Sequence, residues 1–140
     1  MRIVMAVDGS EYSEAAVRAV ISHMRPESAE MLVLHIVDTR LVSTPPQWTQ
    51  ATSPFTEARE SVARAAELLR GAGFTSSTRV VEGEVRSSIL DVAAEWPADL
   101  IILGSHGRTG LRRFTLGSVA ETVARYARCS VMIIRNPPAA

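Results

Sequence analysis

Apolar residues along this chain switch repeatedly between a strand-like and a helix-like period, and that alternation constrains the fold more than any other feature. Strand-like runs lie at Ile3 to Val7, Met31 to Val37, Ser77 to Glu82, Leu100 to Leu103 and Val131 to Ile134. Helical spacing fills the gaps. It places Val17, Val20, Ile21 and Met24 on one stripe, then Ala58, Val62, Ala66 and Leu69 within Phe55 to Arg70. Val85, Ile89, Val92 and Trp96 form a third stripe that stops at Pro97, and Val119, Thr122, Val123 and Tyr126 a fourth. The pattern predicts an α/β fold: one open five-stranded parallel sheet, helices on both faces, right-handed crossovers. The continuous apolar run at Met31 to Val37 is that of a strand buried on both faces. Gly71 is the expected C-terminal cap of the second helix, and Glu60 and Arg64 an i,i+4 pair within it.

The chain has 140 residues and reads as a single domain, 1–140, large enough to bury a core without disulfides. Its formal net charge is zero, so nothing in the balance points to a nucleic acid or a membrane surface. No apolar run approaches the roughly 20 residues a membrane span needs. The N-terminus reads as a first strand without a signal-peptide cleavage pattern, and the one cysteine, Cys129, suits a cytoplasmic location as a buried inert thiol. All 15 basic residues are arginine. The absence of lysine excludes a P-loop lysine and a Schiff-base lysine.

The chemistry concentrates between the fourth strand and the fourth helix. Gly104, Gly107 and Gly117 bridge a strand end to a helix start, where backbone N–H groups and the helix dipole favour an anion. Ser118 can donate its hydroxyl to a phosphate oxygen, or cap the helix through a capping box with Glu121. Arg108, Arg112 and Arg113 make the loop basic where the anion is placed. His106 reads as a backbone hydrogen-bonder and His35 as a core residue. Asp8, at the end of the first strand, suits either a ligand (ribose, adenine or a water-bridged Mg²⁺) or the cap of the first helix, with Ser10 as its rival. In a doubly wound sheet, ligands bind beyond the carboxyl ends of the strands where strand order reverses. Asp8-Gly9-Ser10 and Gly104 to Gly107 would then face one crevice. The segment Leu41 to Thr56, rich in proline and free of charge, leaves the second strand beside it as either a lid or a mobile loop.

Val7-Asp8-Gly9-Ser10, Leu34-His35-Ile36-Val37-Asp38, the run from Ala98 to Gly110 and Leu116-Gly117-Ser118-Val119-Ala120 together resemble the universal stress protein family over essentially the whole chain. The spacing Gly-x2-Gly-x9-Gly-Ser at Gly104, Gly107, Gly117 and Ser118 is that family's ATP-binding signature. The resemblance implies a Rossmann-like sheet in the order 3-2-1-4-5, similar to adenine nucleotide alpha hydrolases, with ATP across the ends of strands one and four. Ala6, Val7 and Asp8 would line the adenine and ribose side, with Val37 touching adenine through its backbone. Leu103 and Gly104 would flank the ribose, and Gly107, Gly117, Ser118 and Val119 would hold the phosphates. It also implies a homodimer through Val131 to Ile134. Two departures are Ser130, where the family often has proline, and Ala6-Val7, where some members have proline and threonine.

The function expected is that of an ATP-binding sensor or switch in stress response. Cyclic AMP or another adenine nucleotide is an alternative ligand, and a weak ATPase or phosphotransferase an alternative activity. No nucleophile, base and orienting partner assemble at these positions, so no catalytic residues are assigned. No metal-ligating cluster is assigned either. Gly117→Val is expected to abolish binding by filling the phosphate space, with the fold intact.

Overall fold

Ile3, Val4 and Met5 are wholly buried because β1 (Arg2–Ala6) lies at the centre of the sheet with helices above and below it. The computed structural model describes residues 1–38, 40, 53–106 and 116–135. After β1 come α1 (Glu11–His23), a short 3₁₀ turn (Pro26–Ser28) and β2 (Glu30–Val37). Then follow α2 (Pro54–Gly71), β3 (Thr75–Glu82), α3 (Val85–Glu95), β4 (Leu100–Gly104), α4 (Ser118–Tyr126) and β5 (Ser130–Ile134). The strands form one five-stranded sheet in the order β3-β2-β1-β4-β5, and every pairing is parallel.

Alternate residues of the central strands supply two separate cores, as the strand period of two requires. Ile3, Met5, Met31, Val33, Leu100 and Ile102 pack with α1 and α2 around Val17, Val62 and Leu69. Val4, Leu32, Leu34, Ile36, Ile101 and Leu103 pack with α3 and α4 around Ile89, Val92 and Val123. β3 and β5 are the sheet edges and stay partly exposed. Cys129 packs half-buried beside the second core, and burial pushes its thiol pKa up, which suits an inert thiol. Among the described residues no helix is long and apolar enough to cross a membrane.

Several boundaries differ from the sequence expectation. Pro54 belongs to α2, at a first-turn position where its missing N–H costs nothing, and Ser53 Oγ caps the helix by accepting from Phe55 N–H at 3.2 Å. Gly71 stays helical. The residue with left-handed backbone is Gly73, at φ +96°, so the turn out of α2 falls two positions later. The Glu60–Arg64 pair is not among the ion pairs of the described residues, whereas Arg125 reaches Glu121 at 3.2 Å on α4. The other residues of the segment from Leu41, up to 52, lie outside the described residues.

α3 is capped by a carboxylate, Glu84, which accepts from Ser87 N–H at 3.1 Å and Arg86 N–H at 2.9 Å. The Arg86 N–H, followed by the Ser87 N–H and the Arg86 guanidinium, lowers its pKa from 4.5 to about 2 against the effect of partial burial. A depressed carboxyl pKa contributes stability above the unfolded value, and loses it as pH falls from 4.5 towards 2. Glu84→Ala should therefore cost about 1 kcal/mol at neutral pH. The gap to the parent should close near the acid end of that window, as read by urea unfolding. An equal gap at both ends would place the effect elsewhere.

Candidate functional site

Strand order reverses between β1 and β4, which pair from Ile3↔Leu100 to Met5↔Ile102. Beyond their ends the chain is pinned by a compact network. Ser10, not Asp8, caps α1: its Oγ accepts from Ser13 N–H at 3.2 Å. Asp8 Oδ1 accepts from Ser10 N–H at 2.9 Å, and Ser13 Oγ donates to the Ser10 carbonyl at 3.0 Å. Asp8 thus braces the turn between β1 and α1 and stays half-buried at the head of the crevice.

On the β4 side, Ser105 is a junction. Its N–H donates to the Ile134 carbonyl of β5 at 3.0 Å, and its carbonyl accepts from Gly117 N–H at 2.8 Å. Ser105 Oγ lies 3.0 Å from His106 Nδ1, both side chains being buried, and the His106 ring meets the Tyr12 ring of α1 at 5.3 Å between centroids. His106 is therefore a packed side chain between β4 and α1. A Cβ on Gly104 would sit 3.1 Å from the Tyr12 carbonyl oxygen, and one on Gly117 only 2.7 Å from the Ser105 oxygen. Both glycines allow backbone to approach backbone. For Gly117 the contact with Ser105 is a reason for glycine additional to the room for a phosphate expected from the sequence.

The capping box at Ser118 does not form. Gly117 is the N-cap, with no side-chain cap hydrogen bond, and Ser118 is the first helical residue, its side chain exposed. The bond from Gly117 to Ser105 sets the helix start one residue early. α1, α2 and α3 each have a side-chain cap, so α4 alone of these helices leaves its first-turn N–H groups to another acceptor. Val119, half-buried, lies in that turn.

The third wall is the end of β2. Its pairing with β1 stops at Ala6↔Leu34, with Val7 N–H donating to the Leu34 carbonyl at 2.9 Å. Its pairing with β3 runs on to Val37↔Glu82, and Gly83 N–H donates to the Val37 carbonyl at 3.0 Å. Successive residues of a strand turn their backbone groups to opposite edges. Val37 therefore faces β3, and Ile36 faces the crevice beyond β1. The backbone groups of Ile36, and not those of Val37, lie on the side of β2 that faced β1 at Leu34. Only the unequal lengths of the two ladders reveal it.

Ala6 is half-buried at the end of β1, and Val7 and Leu103 are buried at the crevice floor. β1–β4 pairing brings these three together with Asp8 and Gly104, and the bond to Ser105 brings Gly117 to the same end of the sheet. Gly107 and Arg108, with Arg112 and Arg113, lie outside the described residues.

The universal stress protein family profile matches residues 1–135. The chain belongs to the universal stress protein family. A universal stress protein of Methanocaldococcus jannaschii is 31% identical over 140 residues, covering 97% of this chain and 82% of that one. The solved universal stress protein UspA from Lactobacillus plantarum shares the fold at a TM-score of 0.78 and 24% identity, over 96% of this chain and 97% of that one. The universal stress protein from Archaeoglobus fulgidus, solved in complex with dAMP, aligns at a TM-score of 0.70 and 25% identity, over 96% and 98% of the two chains. The expected sheet order of 3-2-1-4-5 is the one observed in this universal stress protein.

Proposed function

We propose that this universal stress protein binds adenine nucleotides, with ATP as the physiological ligand, in the crevice between the ends of β1, β2 and β4. The observation that carries the reading is the uncapped start of α4 at Gly117, which is bonded to Ser105 just beyond the end of β4, a strand of the topological switch point. Phosphates would take the N–H groups of Ser118 and Val119, with Gly107 and Arg108 from the adjoining loop. Asp8 would meet the ribose, alone or through a hydrated Mg²⁺, beside Ala6, Val7, Leu103 and Gly104. The adenine edge would lie along the open side of β2, at Ile36 rather than at the Val37 carbonyl. The dAMP complex of the Archaeoglobus fulgidus relative supports an adenine nucleotide and favours a monophosphate as the second reading.

The role is that of a cytoplasmic, homodimeric, nucleotide-dependent sensor or switch, not an efficient enzyme. No lysine is present to neutralise a transferring phosphoryl group. β5 is an apolar edge strand with Met132 exposed, and pairing it with a second copy would remove that edge. The test is calorimetric titration with ATP, ADP, AMP and cyclic AMP, paired with sedimentation equilibrium and phosphate-release assays. Expected are saturable heat with ATP, a mass of two chains, and turnover too slow to compete with release. No heat with any of the four would sink the nucleotide reading, and a monomer mass the dimer.

A further inference from the structure

Beside the open edge of β2 stands an ion pair that nucleotide binding, as described above, does not use. Asp38 directly follows the strand, and its side chain is 8% exposed. Its Oδ1 accepts from the Arg40 backbone N–H at 3.1 Å and from Arg40 Nε at 3.0 Å; its Oδ2 accepts from Arg40 Nη2 at 2.8 Å. The three bonds tie Asp38 to Arg40 through a two-pronged guanidinium grip. The other ion pairs among the described residues join more exposed carboxylates, from 28% to 75%, and contribute little. Asp38 is different: its carboxylate is the least exposed of these, because Arg40 itself covers both oxygens. The Arg40 hydrogen bond also holds the Asp38 carboxyl below the usual range, so the grip persists across the neutral range.

We propose that the Asp38–Arg40 fork is a positioning device for base recognition. It fixes where the extended run of β2 ends. It thereby keeps the Asp38 N–H in line with the N–H and carbonyl of Ile36. The open edge then presents donor, acceptor, donor in sequence. Adenine offers the complement, its amino group between the acceptors N1 and N7. Hypoxanthine carries a carbonyl in place of the amino group and a hydrogen on N1, and so opposes the pattern. The inference rests on the adenine-nucleotide reading and adds to it the residues that hold the reading edge in place.

The test titrates the parent, Arg40→Met and Arg40→Lys with AMP, IMP and ribose 5-phosphate, and follows urea unfolding of each. In both variants AMP should weaken by about tenfold, the worth of one well-placed hydrogen bond. IMP and ribose 5-phosphate should keep the parent's affinity, so the AMP-to-IMP ratio falls. Lysine keeps the charge but not the fork, so Arg40→Lys should behave like Arg40→Met. Full rescue by lysine would overturn the proposal in favour of simple charge. Equal weakening of all three ligands would overturn it in favour of a phosphate contact or a general loosening. A parent that takes up ribose 5-phosphate but prefers neither base refutes the fork alone. A parent that binds no adenine nucleotide refutes the nucleotide reading and the fork together.

Discussion

Gly117→Val should lower stability and nucleotide affinity together. A Cβ at this position would stand 2.7 Å from the Ser105 carbonyl oxygen and 3.3 Å from His106 Cα, and both neighbours are backbone. Neither can rotate away, so relief requires moving the start of α4 from the end of β4. That movement would stretch the 2.8 Å bond from Gly117 N–H to Ser105, which also ties β4 to β5 through the Ile134 carbonyl. Overpacking of this kind costs about 1–3 kcal/mol, and a weakened hydrogen bond about 1 more. In a chain of this size each kcal/mol shifts the melting temperature by roughly 2–4 °C. The phosphate site would be displaced with the helix, so ATP heat should vanish in a protein that also melts early. A variant that melts like the parent but binds nothing would restore the simpler expectation, in which the added side chain occupies phosphate space alone. Gly117→Ala places the same Cβ, and should show the same pair of losses in milder form.

Ile102→Ala should be the most destabilising substitution with no effect on ligand affinity. Ile102 is wholly buried in β4 and packs in the core shared with α1 and α2. Truncating such a side chain removes buried apolar surface and leaves a cavity that sheet and helices cannot close. The cost is about 2–5 kcal/mol. Against a total of roughly 5–15 kcal/mol for a domain, that is a large share. The urea midpoint should fall steeply with an unchanged slope. The nucleotide affinity of the folded fraction should stay at the parent's value, because the side chain points into the core and not into the crevice. A midpoint near the parent's would mean that the site collapses to fill the space. A large loss of affinity would mean that the packing below β4 governs the glycine loop above it.

Much of the architecture was legible from local pattern alone. The two-residue period of Val4 and Met5 sends them to opposite cores, and the helical stripe of Val85, Ile89 and Val92 marks a buried face. Such periods reflect whether each side chain meets water or protein, a free energy set position by position, so they survive in the order of the residues. The glycine-bearing bridge from β4 to α4 was legible for a similar reason, since glycine marks positions where a side chain will not fit. What the pattern could not state was what would collide. Gly117 reads equally well as space for a phosphate or for Ser105, and only the fold brings Ser105 within 2.8 Å. Ser118 had the spacing of a capping box, but Gly117, bonded to Ser105 just beyond β4, is the N-cap and Ser118 the first helical residue. Val37 and Ile36 are neighbours of similar chemistry. Which of them turns its backbone to the crevice depends on β1 ending its ladder at Leu34 while β3 continues to Val37. The sequence by itself determined the elements, their buried faces and the place of the crevice, because these follow from side-chain solvation and local backbone preference. Only the tertiary structure decided which backbone groups remain open there, because that is what is left after distant strands of unequal length have paired.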